Sequence, residues 1–186
     1  MIKTMEAAAN DAILSVADLM ITAALTAPKA SGQDKIVAVC ISGEDKDILS
    51  QYMEKVGEAH GEEFITRDAD NLRSCPCVVV IGMKSAPLGL GENCHLCGFA
   101  DCADMIKSGG NCALNLTDLG IAIGSAVSVA ADHRIDNRVM YSVGKGALEM
   151  GIFANDVDDI KICYGIPLYA GPKSIFFDRG PGAILR

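Results

Sequence analysis

The run Thr117-Asp118-Leu119-Gly120-Ile121-Ala122-Ile123-Gly124-Ser125-Ala126-Val127-Ser128-Val129-Ala130-Ala131 is the stretch on which the fold turns. It reads as a helix with Thr117 or Asp118 at its N-cap, where a short polar side chain accepts from the free amides of the first turn. Gly120, Gly124, Ala126, Ser128 and Ala130 give it a face of small residues with a Gly-x3-Gly step. In a bilayer that pattern pairs helices, but about 13 residues of this kind fall short of the ~20 a span requires. The run is expected to be a central helix packed very closely against another, across a homodimer interface.

Immediately upstream lies the densest chemistry of the chain. Cys94, Cys97, Cys102 and Cys112 follow the spacing C-x2-C-x4-C-x9-C, beginning Cys94-His95-Leu96-Cys97-Gly98-Phe99-Ala100-Asp101-Cys102. Four cysteine thiolates are the ligand set of a cubane iron–sulfur (4Fe–4S) cluster. The C-x2-C turn aims two sulfurs at one point, a short loop brings the third, and the fourth arrives from further along. Gly98 suits a positive φ or a close backbone approach, and turn amides can donate to cluster sulfurs. Residues 100–107 read as a short helix around the third cysteine. Gly109-Gly110 ends it, letting the chain double back to Cys112.

Zinc is the rival occupant. Four-cysteine zinc sites usually come as two C-x2-C knuckles, and here there is one, with His95 inside it. The spacing also differs from the bacterial and plant-type ferredoxin runs. Iron–sulfur is the preferred reading, zinc in a binding or sensor module the alternative, and disulfides or inert thiols the remainder.

Elsewhere the pattern alternates helices and strands. Met5–Thr26 has apolar residues at helical spacing and stops at Pro28 and Gly32. Residues 36–41 (IVAVCI) read as a buried strand, residues 46–60 as an amphipathic helix closed by Gly61, and residues 62–67 as a short strand. Cys75-Pro76-Cys77 leads into the apolar strand 78–82. Within a strand both thiols would share a face as a redox or metal pair, whereas the plainer reading makes them core thiols, like Cys40 and Cys163. Residues 84–93 form a turn-rich loop, and its Gly89-x-Gly91 is too short for a nucleotide fingerprint. Residues 135–150 read as a third long helix and 160–164 as a third strand. From Gly165 the tail holds too much Gly and Pro for regular structure, yet Phe176 and Phe177 are apolar enough to lie on this subunit or a partner. His60, His95 and His133 stand apart, and no Ser/His/Asp or Cys/His constellation emerges.

Composition bounds the rest. The 186 residues fit one domain; 50% are apolar but only 5% aromatic, without Trp, so the core must be aliphatic. A net charge of −8 argues against nucleic acid or an anionic membrane surface, while an acidic face would suit a basic redox partner protein. Glu6, Asp11 and Asp18 break the first apolar run, so it is no secretory leader. No stretch reaches ~18 uninterrupted apolar residues. With eight cysteines, a reducing cytoplasm is the expected compartment.

Taken together, the cysteine module, Asp118-Leu119-Gly120-Ile121-Ala122, Asp136-Asn137-Arg138 and Phe176-Phe177-Asp178-Arg179 resemble the uncharacterised ferredoxin-domain proteins of anaerobic and other prokaryotes. That resemblance implies a 4Fe–4S cluster on Cys94, Cys97, Cys102 and Cys112, in a segment inserted at residues 88–113. The layout of a helix ending in Thr26-Ala27-Pro28-Lys29-Ala30-Ser31-Gly32-Gln33 and a later Asp-Leu-Gly-Ile-Ala helix is similar to flavin nitroreductases. It implies a single α+β, nitroreductase-like domain over residues 1–186, an intertwined homodimer, and FMN at the interface of an oxidoreductase. Nitroreductases hold the FMN phosphate with early arginines, and this chain has none before Arg67; Lys29 would supply a point charge instead of a bidentate fork.

Overall fold

In the computed structural model, which describes residues 2–153 and 159–177, one strand sets the architecture. β2 (Cys77–Lys84) is buried at every residue but its last, and its side chains alternate between the sheet's faces. Cys77, Val79, Ile81 and Met83 enter one core, Val78 and Val80 the other. A strand buried on both sides must be central. It pairs antiparallel with β1 (Ile36–Ser42) and β4 (Ile160–Tyr169), and the two-residue β3 (Asp136–Asn137) lies beyond β4, giving the order β1-β2-β4-β3.

Helices cover both faces. On one, α1 (Met5–Thr26) and α5 (Ala113–Asp132) pack together, with Ile13, Ala17, Met20 and Ala24 against Leu119, Ala122 and Ala126. The alanines allow close approach, and Ser125 Oγ donates to the Ala23 carbonyl at 3.0 Å. On the other face α2 (Gly43–His60), α3 (Glu63–Arg73) and α6 (Tyr141–Glu149) enclose Leu49, Met53, Leu72 and Val143. The result is α+β in three layers.

Several expectations are corrected. Residues 62–67 form no strand, because Ile65, Ala69 and Leu72 share a buried face only at the helical spacing of α3. A Cβ at Gly57 would stand 2.5 Å from Thr66 Oγ1, so α2 and α3 meet at backbone distance. Neither Thr117 nor Asp118 is the N-cap of α5, which is Cys112. Thr117 Oγ1 donates to the Ala113 carbonyl, while both Asp118 carboxylate oxygens accept from Ala30 N at 3.0–3.1 Å. The extra turn makes α5 20 residues long, so the length argument against a span fails; α1 and α5 both have a span's length and apolarity. Each nevertheless lays a buried stripe on the sheet. The glycines also lie off the α1–α5 contact, since a Cβ at Gly120 or Gly124 would meet nothing within 4 Å.

Residues 135–150 are not one helix. Arg134, at φ 61°, ends α5; Asp136 and Asn137 pair with Tyr169 and Leu168, and Met140 bridges to Gly165 before α6 (Tyr141–Glu149) starts. The third strand likewise runs on past Tyr164 to Tyr169. Pro167 is tolerated there because it lies between the two points where β4 meets the sheet's far edge, Gly165–Met140 and Leu168–Asn137. β1 is half-buried rather than buried, as an edge strand must be. Phe176 is buried and Phe177 exposed; Asp178 and Arg179 lie outside the described residues.

Candidate metal centre

The chain between β2 and α5 is built from turns, which is why its thiols can be presented singly. It leaves β2 along a stem held by two side chains: Asn115 Nδ2 donates to the Ala86 carbonyl at 2.6 Å and Gln33 Nε2 to the Leu88 carbonyl at 3.1 Å. Leu88 is buried with Met105 and Cys112, and Cys97, Phe99 and Leu114 pack around them. The C-x2-C turn closes through Gly98 N donating to the His95 carbonyl at 3.0 Å, with His95 at φ 49° and Gly98 at φ 81°. Positive φ is routine for glycine and, among other residues, relatively common for histidine. His95 Nδ1 lies 3.2 Å from the Phe99 carbonyl.

The third cysteine opens α4 (Cys102–Lys107), whose N-cap Asp101 accepts from Asp104 N at 2.8 Å. Gly109, at φ 69°, ends it. Gly110 is pressed so closely on the Phe99 ring that a Cβ would sit 2.7 Å away. From β4, Lys161 Nζ donates to the carbonyls of Gly109 and Gly110 at 3.1 and 3.3 Å. Two residues later Cys112 starts α5.

Cys94, Cys97, Cys102 and Cys112 all line one cavity, with Leu90, Leu96, Phe99 and Met105 completing much of its wall. Its enclosed volume is about 20 Å³, little more than one water molecule occupies. Cys112 is buried and the other three half-buried. Among the described residues no three cysteine, histidine or acidic side chains stand close enough to hold a single metal ion, so the thiols share a cavity rather than one coordination point. The donor set of four thiols matches a cubane cluster in number and type.

The other cysteines do not join it. Cys75 and Cys77 share no face, because β2 begins only at Cys77. Cys75 lies in the second core and its Sγ contacts the Asn71 carbonyl at 3.1 Å. Cys77 faces the first core, and there it meets Cys40, its diagonal neighbour on β1. Contact with Cys40, then burial, raises the Cys77 thiol, and the same contact lowers Cys40. Burial pushes Cys75 and Cys163 up to about 12.

Nor does Lys29 offer a phosphate anchor. Its Nζ donates to the carbonyls of Ala24, Leu25 and Ala27 at 3.2, 2.6 and 3.0 Å, and Asp34 stands 3.7 Å away. The ammonium closes the C-terminal end of α1, and this position does not fit an FMN phosphate. The partners of Asn115, Gln33, Lys161 and Asp118 could not be read from the sequence. Each bonds to a residue far along the chain, and no local spacing announces such a pairing.

The profile of a family described as "Uncharacterized protein containing a ferredoxin domain" matches residues 108–179, a span that holds Cys112 but not the other three candidates. A protein of Archaeoglobus fulgidus described as "Uncharacterized protein" is 38% identical over 180 residues, covering 92% of this chain and 94% of its own length. Among solved structures, the FMN-dependent nitroreductase NfnB from Mycobacterium smegmatis, in complex with NADPH, matches with a TM-score of 0.59 at 14% identity, over 91% of this chain and 84% of that one. The nitroreductase CinD from Lactococcus lactis, in complex with nicotinic acid, matches with a TM-score of 0.58 at 11% identity, over 93% and 84%. At such identities the likeness is one of fold, and that fold is nitroreductase-like.

Proposed function

The chain belongs to the family of proteins containing a ferredoxin domain, and from that premise we propose that it is an electron-transfer protein carrying one 4Fe–4S cluster. Cys94, Cys97, Cys102 and Cys112 would hold it, within the segment at residues 88–113. The observation that carries the reading is that all four thiols line the same cavity. When bound, the cluster supplies reversible one-electron chemistry. The chain's own part is to present the thiols on turns, to shield them with Leu88, Phe99 and Met105, and to leave three half-exposed, so that electrons reach the surface by a short path. A reducing cytoplasm suits eight cysteines that are all free of disulfides.

The test is anaerobic purification with metal analysis, visible absorption and EPR. About four iron and four sulfide per chain with broad absorption near ~400 nm is the expected result, and Cys97→Ser should lose most of it. One zinc per chain, with no sulfide, would replace this reading with the zinc-binding one. A second reading, a flavin oxidoreductase, draws on the fold shared with an FMN-dependent nitroreductase. The engaged Lys29 counts against it, and bound yellow flavin surviving Cys97→Ser would revive it.

A further inference from the structure

We propose that Asn115 is a positioning residue for the cysteine lobe, an inference that rests on the cluster reading above. Asn115 is fully buried in the first turn of α5, three residues after Cys112. Its Nδ2 donates to the Ala86 carbonyl at 2.6 Å, and its Oδ1 has no partner among the described residues. Ala86 belongs to the stem by which the chain leaves β2 for the lobe, and Cys112 is where it returns. One side chain therefore ties the entering stem to the helix that carries the fourth thiol.

The amide does more here than fill space. Its unpaired Oδ1 costs some stability, and its bond to the Ala86 carbonyl returns part of it. What leucine lacks is the donor to Ala86. Gln33 and Lys161 brace the same two stems at Leu88 and at Gly109–Gly110, but from more exposed ground. Asn115 is the brace set inside the core, so it fixes the first turn of α5, and with it Cys112, relative to Cys94 and Cys97. Supporting residues of this kind orient the ligands and so govern how tightly a metal is held.

The experiment compares full-length wild type with Asn115→Leu and Asn115→Ser, all purified anaerobically. Iron and sulfide content, EPR g-values, and the rate of iron loss to the ferrous chelator bathophenanthroline are measured, with circular dichroism and thermal midpoint taken on the metal-free forms. Asn115→Leu should fold, with a metal-free thermal midpoint somewhat below that of wild type because the Ala86 carbonyl loses its donor, and should lose iron ~10–100-fold faster and show shifted g-values; Asn115→Ser should also lose iron faster. Wild-type rates and g-values in a folded Asn115→Leu would overturn the inference while leaving the cluster in place. If both variants fail to fold, Asn115 is a core residue and the inference falls too. A wild-type chain without iron or sulfide would sink the proposed function first, and this inference with it.

Discussion

A thiol attacks or ligates as its thiolate, and the fold holds several of its cysteines away from that form. Cys75 and Cys163 rise to about 12 from the usual 9 because burial disfavours the charge. Folding therefore favours their protonated state. The stability this contributes is fully present below pH 9 and is lost as pH rises from about 9 towards 12. The urea midpoint should accordingly fall across that window, and Cys163→Ala should flatten the fall, even though it lowers stability at pH 7. An identical pH profile in the variant would reject this account. At pH 8 the metal-free protein should alkylate with iodoacetamide at the half-buried Cys94, Cys97 and Cys102 before Cys75 or Cys163, a difference that peptide mass mapping would show.

Between elements, α6 meets β4 backbone to backbone. A Cβ at Gly144 would lie 2.0 Å from the Cys163 carbonyl oxygen, and one at Gly165 would lie 2.2 Å from Val143 Cγ1. The two backbones touch because neither position carries a side chain. Gly144→Ala must push helix and strand apart, and the expected loss is about 3 kcal/mol or more in urea unfolding. Gly120 and Gly124 on α5 are the opposite case, with open space where a Cβ would stand. Gly124→Ala should add up to ~1 kcal/mol of helix propensity. A destabilised Gly124→Ala would show that the face is covered in solution.

At the scale of the whole molecule α1 and α5 leave several large apolar side chains exposed. Leu14, Leu19 and Leu25 on α1 and Leu116 and Ile121 on α5 are all exposed. Only 28% and 33% of their most apolar 18-residue windows are buried within the chain. Patches of this kind mark interfaces. A second copy of the chain is the proposed cover, with the open glycines of α5 admitting a partner helix at short range. Sedimentation equilibrium should find twice the chain mass, and Leu19→Glu combined with Ile121→Glu should halve it. A wild-type protein that sediments at the chain mass would remove the dimer.

How much of this was legible beforehand differs by residue. The unbroken apolar run at residues 78–81, the helical spacing of α1 and the C-x2-C-x4-C-x9-C run are local, so the sequence by itself determined the core strand, the first helix and the thiol donors as candidates. Residues 62–67 read as a strand because six positions are too few to show that Ile65 shares a helical face with Ala69 and Leu72 further on. Residues 135–150 carry a helical pattern throughout, but pairing with β4 outweighs it up to Met140. Only the tertiary structure decided that Cys75 and Cys77 part company, that Lys29 is spent on the end of α1, and that Asn115 braces the stem at Ala86. The physical reason is range: spacing reports neighbours along one element, whereas these fates were set by carbonyls and strands that only folding brings near.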